Sequence, residues 1–144
     1  MAGKQIKPMN IGDRAFMARF TVLIVDDTLS CRESVAAMLR RSGYRVICAE
    51  NSRRALDLLE NTSPDLMLLD LAMPDSSGPE FLQTVREDLR WRDLPVILFT
   101  GSGDVMELAR DMGVRDCLVK SDNSCSDVRR AIERVLHNRS GAAA

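Results

Sequence analysis

The chain has 144 residues, enough for one domain with a sizeable core. Hydrophobic residues make up 45% and charged residues 28%, and the net charge is -1, so no basic excess points to nucleic acid or an anionic membrane surface as a partner. No apolar run is long enough to span a bilayer.

Residues 1–19 lack the apolar stretch of a secretory signal and read as a flexible, polar leader. FTVLIVDD, Phe20 to Asp27, is a β-branched apolar run closing on two aspartates. Cys31, Val35, Met38 and Leu39 fall at helical spacing and define a face that Gly43 ends. Thr28 and Ser30 are the expected caps of that helix, with Arg32 on its solvated surface. Tyr44 to Ala49 reads as a strand and Ser52 to Asn61 as a helix.

Leu66 to Leu69 (LMLL) is apolar at every position and stops at Asp70. Ser77-Gly78-Pro79-Glu80 has the pattern of a helix start, and Phe81, Leu82, Val85 and Leu89 supply the face behind it. Pro95 to Phe99 is a fourth strand, Val105 to Met112 a short helix, and Asp116 to Val119 a fifth strand. Ser124-x-x-Asp127 opens a last helix carrying Val128, Ile132, Val135 and Leu136, and residues 139–144 read as a disordered tail. Residues 20–138 thus form five consecutive βα units, which predicts a parallel sheet with helices on both faces. That explains LMLL: strands covered on both sides are apolar throughout.

Ligands of such sheets bind beyond the C-terminal ends of the strands. Those ends here carry Asp26 and Asp27, Asp70, Thr100 and Lys120. Three carboxylates at one edge repel, and burying them unpaired costs on the order of several kcal/mol each. A cation resolves this, and Mg²⁺ suits oxygen ligands that leave room for water and phosphate oxygens. A lysine and a hydroxyl opposite suit a phosphoryl group, and an aspartate can itself be the nucleophile. Met73-Pro74 and Gly78 would shape the loop beside Asp70.

The remaining chemistry is thin. Cys31, Cys48, Cys117 and Cys125 form no C-x-x-C pair, and His137 is the single histidine. No zinc site follows, and reduced thiols of a cytoplasmic protein are expected. The few aromatic residues are too scattered for a base-stacking platform, and Trp91 reads as a packing residue.

VDD-x-x-x-x-R from Val25 to Arg32, LLDLAMPDSSG from Leu68 to Gly78, FTG from Phe99 to Gly101 and VKS from Val119 to Ser121 together resemble the receiver domain of two-component response regulators. The likeness is to the stand-alone, chemotaxis-regulator type. It implies a flavodoxin-like, doubly wound (βα)5 fold with strand order 2-1-3-4-5. It implies phosphorylation of Asp70, Mg²⁺ held by Asp26, Asp27, Asp70 and the backbone carbonyl of Ala72, and phosphoryl oxygens bound by Thr100 and Lys120. The implied partners are a histidine kinase or phosphotransfer protein and a downstream protein target, with neither nucleic acid nor membrane. The implied chemistry is self-catalysed phosphotransfer and autodephosphorylation, not that of an enzyme with a separate substrate.

Three departures mark this chain. Ser121 follows Lys120 where the family usually has proline, and a serine there favours a trans bond. Cys117 stands three residues before Lys120, where the family's switch position carries Tyr or Phe. The segment from Thr100 to Gly113 is shorter than the family's usual spacing. These departures sustain an alternative, a receiver-like binding module that works without phosphorylation. An aspartyl-nucleophile phosphatase ranks lower, because it would want D-x-D after the first strand.

Overall fold

The computed structural model describes residues 11–73, 78–101, 106–114 and 116–142. Five strands form one parallel sheet: β1 (Thr21–Val25), β2 (Arg45–Ala49), β3 (Leu66–Leu69), β4 (Val96–Thr100) and β5 (Asp116–Val119). Their order is β2-β1-β3-β4-β5, the flavodoxin-like arrangement expected. Among the described residues six helices accompany them: α1 (Ile11–Met17), α2 (Leu29–Arg41), α3 (Ser52–Asn61), α4 (Gly78–Glu87), α5 (Met106–Asp111) and α6 (Cys125–Ala142).

Strand side chains alternate between two separate cores. Val22, Ile24, Leu66, Leu68, Ile97 and Phe99 pack with α2 and α6 through Val35, Leu39, Val128, Ile132 and Leu136. Leu23, Val25, Met67, Leu69, Val96 and Leu98 pack with α3, α4 and α5 through Ala55, Leu59, Leu82, Val85 and Ala109. Each fully buried aliphatic side chain contributes about 1.5–3 kcal/mol. Such a mount is rigid, and the register sets its edge: Val25 lies beside Leu69, Leu69 beside Leu98, and Thr100 beside Val119. The chain segments leaving β1, β3, β4 and β5 therefore emerge side by side.

Local chemistry closes the helices. Asn51 caps α3 by accepting the Arg54 N–H at 2.8 Å. The Ser124–Asp127 pair caps α6 reciprocally, the Ser124 N–H donating to Asp127 Oδ2 at 2.8 Å and the Asp127 N–H to Ser124 Oγ at 3.3 Å. Gly43, with φ of +103°, ends α2. Residue 77 and the other positions from 74 to 77 lie outside the described residues, so of the expected Ser77 helix start only Gly78 onward is described.

Several expectations differ from the structure. The helical spacing puts Leu89 on the apolar face of α4, yet that helix ends at Glu87 and Leu89 is 78% exposed. Asp88 bends the chain there: its Oδ1 accepts the Arg90 N–H at 2.9 Å. Outside residues 20–138 the described structure holds α1 and the end of α6. Met17 is buried in the α2–α6 core, and Phe16 stacks on His137 with ring centroids 4.9 Å apart. Phe16, Met17 and Phe20, at i, i+1 and i+4, were the available signal. The backbone of α6 continues through Ala142 because a nucleated helix propagates at little cost.

Gly78 makes the closest backbone approach. A Cβ there would fall on the Leu71 carbonyl and 2.5 Å from the Leu71 Cα, both fixed atoms of the segment carrying Asp70. Gly78→Ala is expected to cost about 2–3 kcal/mol in urea unfolding, as overpacking against backbone does. A variant within about 0.5 kcal/mol of wild type would show that this approach is not tight.

Candidate functional site

Asp26 follows the last residue of β1 and is 3% exposed. Each of its polar groups is engaged. Its N–H donates to the Ala49 carbonyl at 3.1 Å, and its carbonyl accepts Arg32 Nη1 at 2.7 Å. Its Oδ1 accepts the Thr28 N–H at 2.9 Å, and its Oδ2 accepts Lys120 Nζ at 2.8 Å.

Asp70 follows β3 and is 4% exposed. Its Oδ1 accepts the Ala72 N–H at 2.9 Å, an Asx turn that fixes the plane of the carboxylate. Its Oδ2 accepts Lys120 Nζ at 3.0 Å. Asp27 is the exposed member of the group, and carboxylate oxygens of Asp26, Asp27 and Asp70 all lie within 4.8 Å of one another. No helix among the described residues is long and apolar enough to cross a membrane.

Lys120 is the hub of this edge. Burial opposes its charge, but the hydrogen bonds from its ammonium to Asp26 and Asp70 win, and its pKa is held above the ordinary lysine value. Nζ also lies 5.8 Å from the centroid of the Phe99 ring. Cys31, in the first turn of α2, adjoins the same charges. Burial pushes its thiol up to about 11, with the neighbouring Asp26 carboxylate adding to the rise.

Thr100 ends β4 and is fully buried. Its Oγ1 has no hydrogen-bond partner among the described residues. A buried hydroxyl without a partner is costly, which sets this strand end apart from the satisfied groups around it. Cys117 is half-buried in β5 and packs against the α3–α4–α5 core. No peptide bond among the described residues is cis, so Lys120–Ser121 is trans. The loop at 102–105, which begins the shortened segment, lies outside the described residues.

The structure thus brings Asp26, Asp27, Asp70, Thr100 and Lys120 to one edge, with Ala72 in the adjoining turn. Two expectations change. Arg32 is not a plain surface charge, because it holds the Asp26 carbonyl. Thr28 occupies the cap position of α2 but its side chain makes no capping bond; Asp26 takes the first backbone donor instead. Arg32 sits in the first turn of α2, which lets its side chain reach back to the carbonyl of the segment that enters the helix.

The donor set fits a hard divalent cation. Oxygen ligands predominate, one carboxylate faces solvent, and the burial of Asp26 and Asp70 leaves two negative charges shared by one lysine.

Comparison with known proteins agrees with this geometry. The family model described as response regulator receiver domain matches residues 22–133. The response regulator Rre1 of Synechocystis is 43% identical over 84 residues, covering 58% of this chain and 36% of that protein. The chain spans less than half the length of the first curated relatives it matches. Among solved structures, the chemotaxis protein CheY4 of Vibrio cholerae superposes with a TM-score of 0.74 at 29% identity, over 81% of this chain and 98% of that one. The response regulator TrrA of Thermotoga maritima, solved in complex with Mg²⁺-BeF, gives a TM-score of 0.71 at 28% identity, over 80% and 97% of the two chains. With an acidic pocket at the sheet edge and a family match over most of its length, the chain belongs to the response regulator receiver domains of two-component signalling.

Proposed function

We propose that Asp70 accepts a phosphoryl group from a histidine kinase or phosphotransfer protein, that the transfer depends on Mg²⁺, and that the phosphorylated domain signals by protein–protein contact. The observation that carries this reading is Lys120 bridging Asp26 and Asp70 beside the Thr100 hydroxyl, which has no hydrogen-bond partner among the described residues.

An oxygen of the Asp70 carboxylate attacks phosphorus as the bond to the donor imidazole nitrogen breaks, and that nitrogen keeps the bonding pair. The Ala72 N–H holds the carboxylate plane for the attack. Charge accumulating on the phosphoryl oxygens needs positioned cations and donors rather than new covalent chemistry. Lys120 supplies the positive charge, and the Thr100 hydroxyl donates its hydrogen bond to one phosphoryl oxygen. Asp26, Asp27 and Asp70, with the Ala72 carbonyl, would hold Mg²⁺, which when bound neutralises the remaining phosphoryl charge. Water later attacks the aspartyl phosphate and restores Asp70. This is self-catalysed turnover of one group on one residue, not the work of an enzyme with a separate substrate.

The same reading takes the site to the cytoplasm, supported by four cysteines that are all free. Cys117 cannot bury and expose a ring as Tyr or Phe does, so the signal leaves by a route other than an aromatic switch. Charge balance gives neither nucleic acid nor membrane a role as partner.

Asp70→Asn is expected to abolish covalent phosphorylation by acetyl phosphate and Mg²⁺, read by intact-protein mass spectrometry, while the fold persists. A wild-type protein that gains no phosphoryl group, or a variant that still gains one, would favour the phosphorylation-independent binding module instead.

Lys120→Met removes the lysine that pairs with both Asp26 and Asp70. Without metal it is expected to lose about 1–3 kcal/mol in urea unfolding, discounted for the partial exposure of the lysine. Added Mg²⁺ should stabilise the variant more than the wild type. Because the folded lysine pKa is raised, the stability difference between the two proteins should be full below the ordinary value of 10.5 and shrink as pH climbs through the folded value. Equal metal-free stabilities would show that Lys120 does not hold the cluster together.

A further inference from the structure

The geometry points to Asn123 as a positioning residue for Lys120, a role that rests on the phosphoryl-acceptor reading. Lys120 has no proline after it to stiffen its turn, yet its ammonium meets two separate carboxylates. Something else must aim it. The peptide unit joining Val119 to Lys120 is anchored on both edges. On one edge the Lys120 N–H donates to the Thr100 carbonyl at 2.8 Å. On the other the Val119 carbonyl accepts three donors, the Asp122 N–H, the Asn123 N–H and Asn123 Nδ2, each at 3.0 Å.

That plane determines where the Cα–Cβ bond of Lys120 starts, and so where a long, flexible side chain can reach. The two backbone donors belong to any tight turn at this place. The side-chain amide is the part this sequence adds. Asn123 is half-buried, while Ser121 and Asp122 are exposed, and the Ser124–Asp127 cap of α6 begins immediately after it. The loop is therefore held at three successive points: the strand end, the Asn123 amide and the helix cap.

Loosening Asn123 has a consequence that general destabilisation does not. Lys120 occupies Asp26 Oδ2 and Asp70 Oδ2, the oxygens a cation would draw on. A poorly aimed lysine binds phosphoryl oxygens badly but also competes less for those carboxylates. Phosphorylation and Mg²⁺ affinity should then separate, the first falling while the second holds or rises.

The experiment compares wild type, Asn123→Ala and the isosteric Asn123→Asp. Asp70 phosphorylation by acetyl phosphate is timed at saturating Mg²⁺, Mg²⁺ affinity is measured by calorimetry without phosphodonor, and folding is followed in urea. Both variants are expected to phosphorylate about tenfold more slowly, as misplaced catalytic groups do, with Mg²⁺ affinity equal to or tighter than wild type. Phosphorylation rates within twofold of wild type would overturn the assignment, and so would a rate and an Mg²⁺ affinity that fall together with stability. A wild-type protein that is not modified on Asp70 at all would instead refute the acceptor reading.

Discussion

The site depends on one ammonium group between two carboxylates. Lys120 donates to Asp26 and Asp70, two residues far from it and from each other in sequence, and so closes the edge of the sheet across β1, β3 and β5. Without it, two buried carboxylates and a third close by would face each other uncompensated. With it, the pocket is tolerable in the absence of metal but still carries excess negative charge. That imbalance keeps the pocket receptive to a cation. In the proposed phosphotransfer, stability and reactivity at this edge share the same oxygens.

The scaffold matters because it holds those oxygens still. Asp26 has all four of its polar groups bonded, and Asp70 is tied at its N–H, its Oδ1 and its Oδ2. These ties come from segments with little mobility: a strand carbonyl at Ala49, a strand end at Val25, and the first turn of α2. Two apolar layers behind them leave the strands no room to slide.

Most of this was legible in the sequence, for stated physical reasons. LMLL is buried on both faces, as its unbroken apolar run implied. The polar residues ending β1, β3 and β4, and the lysine following β5, meet because parallel strands deliver their ends to one edge. What escaped notice involves main-chain geometry. That Asp26 rather than Thr28 would take the first donor of α2, and that Arg32 would reach back to a carbonyl, depends on the pitch of the turn between β1 and α2. Leu89 fitted the helical period, but an aspartate turn ended the helix before it. Helix α1 is hard to read from sequence because it is only seven residues long and its partners lie far along the chain.

That distance has a bearing on how the molecule is made. Helix α1 rests on Gly43, whose backbone passes close to Arg14 and Met17, and on His137 in α6, far along the chain. A seven-residue helix has almost no independent stability in water. Its docking is a contact of long sequence separation, and such contacts form late because loop closure must come first. The seating of α1 against α6 therefore closes the α2–α6 core late in folding.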